Sequence, residues 1–183
     1  MPFNGFEGNL ESATLGLVNT LFHIFISVLM VRFLLPLARV NYFNPISQVL
    51  VRITDPILKP IRKIIPSAGR LDGSVLVLMI VLQFAQGWIV STLFELDHNI
   101  SFLLAYTGLT LLRMLLTMYL VFIIASAILS FIPNIRHPIV SFLHELIAPV
   151  LAPIRRVIPA LGGLDFSPLI AIIAIQFLMR LLG

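Results

Sequence analysis

Four stretches of this chain are apolar and close to the length a bilayer requires, and they limit the fold to a bundle of membrane helices. They fall at 15–37, at 74–94, within 101–132 and at 168–182. A helix needs about 20 apolar residues to cross the hydrocarbon core. The third stretch is too long for one upright span, because at ~1.5 Å per residue it measures roughly 48 Å against a core of ~30 Å. Arg113 divides it. The spanning part is therefore expected at 113–132, with 101–112 as an interfacial or tilted extension. Composition agrees: 59% of the 183 residues are hydrophobic and 11% are charged, where a soluble domain carries about a quarter charged residues. Mean hydropathy is +1.06. Such a chain cannot cover itself with polar surface, so its solvent is lipid. There is no cysteine, which excludes disulfides and thiolate metal sites.

The basic residues set an orientation. Arg39, Arg52, Lys59, Arg62, Lys63 and Arg70 lie between the first two spans, and Arg136, Arg155 and Arg156 between the last two. That is nine of the twelve. Positive loops stay in the cytoplasm, so both basic loops are expected there and both termini outside. Arg180 dissents, at a position where it can snorkel. The N-terminal segment carries Glu7 and Glu11 before its first apolar run. A cleavable signal would carry Lys or Arg there, so the first span is expected to persist. The net charge of +4 comes from few residues clustered beside apolar spans. That suits an anionic membrane surface and argues against nucleic acid.

Those two basic segments are versions of one sentence. "NPISQVLVRITDPILKPIRKIIP" begins at Asn44, and "HPIVSFLHELIAPVLAPIRRVIP" begins at His137, 93 positions on. Pro45, Pro56, Pro60 and Pro66 match Pro138, Pro149, Pro153 and Pro159, and Arg62 and Lys63 match Arg155 and Arg156. Further on, Asp72 and Ser74 match Asp165 and Ser167, and Gln83 matches Gln176. Each unit reads as span, basic segment, span. An even number of crossings makes the units parallel repeats. The expected organisation is a tail at 1–14, a first repeat at 15–94, a connector at 95–112 and a second repeat at 113–183.

Within each basic segment the spacing predicts an amphipathic helix. Ile46, Val49, Leu50, Ile53 and Ile57 form one apolar stripe, and Ile139, Phe142, Leu143, Leu146 and Val150 form the other. Both segments are expected in the interface, apolar face toward lipid. Asn44 before Pro45 is a helix start, with His137 before Pro138 as the weaker copy. Proline lacks an N–H and clashes one turn back, so a break or bend is expected near Asp55 and Pro56. Lys59, Arg62 and Lys63, and Arg155 and Arg156, then form a rigid basic elbow. Ser74 and Ser167 read as caps of the next spans. Asp72 and Asp165 suit the dipoles of those helices and equally suit pairing with Arg62 and Arg155.

This motif, from Asn44 to Ser74 with its second copy from His137 to Ser167, resembles the YggT family of small bacterial inner-membrane proteins, which includes YlmG proteins and plastid relatives. The second copy departs from the first where Thr54 and Asp55 become Ile147 and Ala148. The resemblance implies a four-span protein linked to osmotic-stress tolerance, to cell division or, in plastids, to haem attachment and photosystem assembly. That spread implies an organising role rather than one chemistry.

The residues themselves support the same weighting. No Walker loop, G-x-S-x-G or H-E-x-x-H motif is present. His23, His137 and His144 do not make a metal set by spacing, and no cofactor is expected. Gln83 and Gln176 are expected inside the bundle, as hydrogen-bonding glue between helices or lining a pathway. Arg32 and Arg113 are expected to snorkel. The expected protein is an all-α, four-span, duplicated membrane scaffold. Its elbow residues Lys59, Arg62, Lys63, Arg155 and Arg156 would contact anionic lipid or an unidentified membrane or cytoplasmic protein. The alternative is an ion channel or transporter component, which with four spans requires a homo-oligomer; no acidic ring at membrane depth supports it. A cofactor-assembly factor is the third reading.

Overall fold

The computed structural model of the chain describes residues 4–66, 69–93, 99–132, 137–158 and 165–183, with side chains from residue 13 onward. These residues form six helices: α1 (Asn4–Ala38), α2 (Pro45–Arg62), α3 (Gly73–Leu93), α4 (Ile100–Ser130), α5 (Pro138–Val157) and α6 (Ser167–Leu181). Arg136 and Pro159 lie outside the described residues, as does the acidic loop at 94–98.

Four helices are long and apolar enough to cross a membrane: Ala13–Ala38 of α1, all of α3, all of α4, and α5. The fourth differs from expectation. The stretch at 168–182 forms α6, which is apolar but only 15 residues long, about 22 Å at helical rise. The segment expected in the interface, α5, meets the length criterion instead. α1 is helical from Asn4, and its apolar part begins at Ala13. α4 runs unbroken for 31 residues from its Asn99 cap, so 101–112 continues the same helix as the stretch after Arg113.

Three apolar clusters hold the bundle. Ile26, Leu29 and Met30 of α1 pack with Leu58 of α2 and with Val75 and Met79 of α3. Leu34 and Leu35, near the end of α1, pack with Val40, Phe142 and Leu146, which seats α5 across that end. Ile123 of α4 packs with Ile147 and Leu151 of α5 and with Ala171 and Ile175 of α6. The outward faces stay apolar, with Leu21, Val81, Val121 and Ile173 all more than half exposed, as a lipid-facing surface requires.

Neither proline-bearing helix breaks. α2 continues through Pro56 and Pro60, and α5 through Pro149 and Pro153. All four prolines are exposed. The two apolar stripes then part company. In α5, Phe142, Leu143 and Leu146 of the stripe are buried, together with Ile147 and Leu151, against α1, α4 and α6. In α2 the stripe divides: Ile46 and Leu50 pack at the edge of the second apolar cluster, while Val49, Ile53 and Ile57 point away from the protein, 55%, 56% and 41% exposed. Its inward face is Ser47, Thr54 and Leu58, each fully buried. The reason is position. α5 lies over α1 and α4 and finds apolar neighbours, whereas α2 touches the bundle along its side.

α1 ends in a Schellman-type turn: Arg39 takes a left-handed φ of 57° and the Val40 N–H reaches the Leu35 carbonyl at 2.9 Å. That turn sends the chain directly into α2.

Candidate functional site: the two basic elbows

Both elbows close on an arginine–aspartate pair separated by ten residues. Arg62 Nη2 lies 2.6 Å from Asp72 Oδ2. Arg155 Nη2 lies 2.8 Å from Asp165 Oδ2, and its Nε donates to the same oxygen at 3.0 Å. Each pair ties the last turn of an amphipathic helix to the start of the next apolar helix. Ion pairing is thus the geometry found, of the two roles the aspartates suited. Capping falls to different atoms than expected. The Ser74 hydroxyl donates back to the Ile65 carbonyl at 2.8 Å. At the second elbow Asp165 Oδ1 accepts the Ser167 N–H at 2.9 Å.

The two elbows differ in depth. In the first, Arg62 also reaches Asp55 at 3.3 Å, and Asp55 faces Arg32 at 3.8 Å. Arg32 is buried within the protein, its guanidinium 5.8 Å from the centre of the Tyr42 ring and within 3.4 Å of the Tyr42 hydroxyl. A chain of four charges therefore runs Arg32–Asp55–Arg62–Asp72. Among the described residues the second elbow holds one pair, because Ala125 and Ala148 stand where Arg32 and Asp55 would be. Burial works against the Arg62 charge, but Asp72 and Asp55 outweigh it and hold the guanidinium above its ordinary range. Partial burial pushes the Asp165 carboxyl up, and Ser167 and Arg155 outweigh that, holding it below the usual carboxylate range.

The five cations expected to make contact thus separate into two kinds. Arg62 is committed to two carboxylates, and Arg155 to one while its side chain stays 53% exposed. Lys59, Lys63 and Arg156 are exposed, with no ion-pair partner among the described residues. Around α2, the buried, basic and exposed apolar faces lie about a third of a turn apart. Arg52 and Lys59 form the basic one.

The amphipathic helices meet at their N-termini. Asn44 Oδ1 caps α2 by accepting the Ile46 N–H at 3.0 Å, while its amide donates to the Pro138 carbonyl at 2.9 Å and to Ser141 Oγ at 3.3 Å. The Asn41 N–H donates to the Glu145 carboxylate at 2.7 Å. His137 Nδ1 accepts the Ile139 N–H at 3.2 Å and caps α5. Among the structural prolines, Pro45 and Pro138 open these helices and Pro66 follows the first elbow.

The two glutamines do not converge. Gln83 is fully buried and donates to Gln86 at 2.9 Å, and Gln86 donates to Asn19 at 3.0 Å. Gln176 is exposed on α6. Arg113 is exposed and donates to the carbonyls of Leu182 and Gly183, which ties α4 to the end of α6. Asn19, Gln86, Arg32, Asn41 and Glu145 carry no periodic signal in the sequence; only packing brings them to their partners. Among the described residues, no group of three or more His, Asp or Glu is placed to hold a metal.

The long apolar helices and their lipid-facing surfaces define a multi-pass helical membrane protein of the inner membrane. The chain belongs to the CCB3/YggT family, whose model matches it in two segments, 12–93 and 105–183. It is 38% identical over 171 residues to an uncharacterized protein of Vibrio alginolyticus named for the region 3′ of proC, covering 91% of each chain. It is 32% identical over 172 residues to an uncharacterized protein of Pseudomonas aeruginosa, covering 92% of this chain and 87% of that one. Uncharacterized protein YggT of Escherichia coli is 32% identical over 157 residues, 86% of this chain and 82% of its own. No solved structure matches.

Proposed function

We propose that the protein is a non-enzymatic membrane scaffold or assembly factor, acting through its two basic elbows on anionic lipid or on a protein partner. In this reading α1, α3, α4 and α6 span, α2 and α5 lie at the cytoplasmic interface, and both termini are outside. The two segments of the family match, with starts at 12 and 105, support a pair of parallel repeats. The absence of a catalytic motif from the sequence fits a non-enzymatic role.

One observation carries the proposal. Val49, Ile53 and Ile57 of the α2 stripe are exposed beside Arg52, Lys59 and Lys63, while Ser47, Thr54 and Leu58 are packed on the bundle. A helix so arranged sets apolar side chains into acyl tails and cations among headgroups, each cation contributing about 1 kcal/mol at an anionic surface. The Arg62–Asp72 and Arg155–Asp165 pairs hold the elbows in place for that contact.

The test is the lipid that travels with the protein when it is extracted in polymer-bounded discs from vesicles of phosphatidylglycerol and phosphatidylethanolamine. Enrichment of phosphatidylglycerol is expected in the wild type and a fall toward bulk composition in the Lys59→Gln, Lys63→Gln, Arg156→Gln variant. Unchanged enrichment in the variant sinks the lipid arm, and unchanged crosslinking to neighbouring proteins in cells sinks the partner arm.

The channel reading keeps one supporting observation, the buried polar string of Asn19, Gln86 and Gln83. It loses the paired-glutamine site, since Gln176 faces outward. Ion flux through proteoliposomes, abolished by Gln83→Leu, would restore it.

A further inference from the structure

A cavity of about 660 Å³ opens between α4, α5 and α6, beside the second elbow. Its walls include Ile123, Ile147 and Leu151, and its polar edge is Ser126, Ser130, His144 and Arg155 together with Asp165, whose carboxylate is paired with Arg155. The volume lies in the range of small-molecule sites. Protein interiors are otherwise close-packed, so apolar space of this size beside lipid takes an occupant.

Comparison of residues 93 positions apart shows what opens this space. Phe33, Leu34 and Leu37 of α1 stand where α4 has Ser126, Ala127 and Ser130. Leu34 is buried, and Phe33 and Leu37 are packed against the apolar clusters. Three large side chains are thus replaced by small ones along one wall. The charges change in the same place. Arg62 is bound by Asp55 and Asp72, with a side chain 29% exposed. Among the described residues Arg155 has Asp165 as its ion-pair partner and is 53% exposed, and Ala148 replaces Asp55. A guanidinium has five N–H donors, and Arg155 commits two of them to Asp165. Arg156 beside it is exposed.

We infer that this slot holds one anionic phospholipid, an acyl chain between α4, α5 and α6 and the headgroup phosphate at Arg155 with the serine hydroxyls of α4. The inference rests on the lipid reading above and narrows it from a surface to one site. Charge complementarity selects the occupant: an apolar floor requires a hydrocarbon chain, and an arginine with donors left over requires an anion.

The experiment titrates the full chain in detergent with phosphatidylglycerol, and with phosphatidylcholine of the same chains, and counts retained lipids by native mass spectrometry. One phosphatidylglycerol per chain is expected, held at least about tenfold more tightly than phosphatidylcholine. The variant Ser126→Phe, Ala127→Leu, Ser130→Leu restores the first half's residues and is expected to lose that lipid by about tenfold or more. All elbow cations remain in it, so bulk phosphatidylglycerol enrichment in discs should persist; loss of enrichment only in the cation variant concerns the elbow reading and not the slot. Tight lipid retained in the filled variant overturns the slot. Equal retention of phosphatidylcholine overturns it, as does displacement of the lipid by inorganic phosphate. Should the filled variant fail to fold, phosphatidylglycerol carrying a diazirine at its chain end decides in the wild type. Label concentrated in peptides covering 123–130 and 144–155 is expected, and label spread evenly over α1 and α3 overturns the proposal.

Discussion

Arg62 and Asp72 meet at 2.6 Å, and Arg155 and Asp165 repeat the contact at 2.8 Å, yet the first pair is largely enclosed and the second stands near the surface. An Asp72→Asn change removes a charge partner from a site where Arg62 is only 29% exposed. We expect it to destabilise the protein by about 1–3 kcal/mol, the cost of leaving a shielded charged group short of a partner. Asp165→Asn should cost less than about 1 kcal/mol, as exposed pairs do. Detergent-denaturation midpoints of the two variants check the order, and a larger loss at Asp165 contradicts it.

The Arg32–Asp55 contact makes a non-additive prediction. Asp55→Ala takes from the buried Arg32 its ion-pair partner among the described residues, and leaving a buried group short of a partner costs about 1–3 kcal/mol. Replacing both, as Arg32→Met with Asp55→Ala, should recover part of that loss because the buried guanidinium that lacked its partner is gone as well. A double variant less stable than Asp55→Ala alone contradicts a coupled pair.

Acid should release the second elbow. The Asp165 carboxyl is held below the usual carboxylate range in the folded protein. A depressed folded-state value contributes stability above the unfolded value and loses it as pH falls through the folded one. Wild type should therefore be more stable than Asp165→Asn at neutral pH, and the difference should close as pH drops below about 4. Thermal unfolding of both across pH 3–7 measures it; a difference that is constant with pH rules out the ion pair as its source.

The exposed stripe of α2 can be located directly. The chain has no cysteine, so single spin labels can be placed at Ile53 and at Lys59 without further changes. A label at 53 should relax faster with lipid-soluble oxygen, and one at 59 with a water-soluble nickel complex, if α2 lies in the interface. Equal access of the nickel complex to both positions would place the stripe in water.

Local chemistry was legible without coordinates. Apolar run lengths, the Asn44 and His137 caps, and the match of Arg62 and Asp72 to Arg155 and Asp165 depend on neighbours within about ten residues, and spacing reports such neighbours. Periodicity also finds a stripe on both α2 and α5, because a stripe belongs to one helix. What faces the stripe belongs to two. Only the packing decides that Phe142 and Leu146 enter the core while Val49 and Ile53 stay outside. The same holds for Gln83 and Gln176, identical in sequence position and opposite in burial. Arg32 finds Asp55 only because α1 and α2 pack side by side. Duplication sets equivalent residues at equivalent places along each half, but the halves have different neighbours. The tertiary contacts, absent from any local pattern, therefore divide two similar segments into a packed helix and an exposed one.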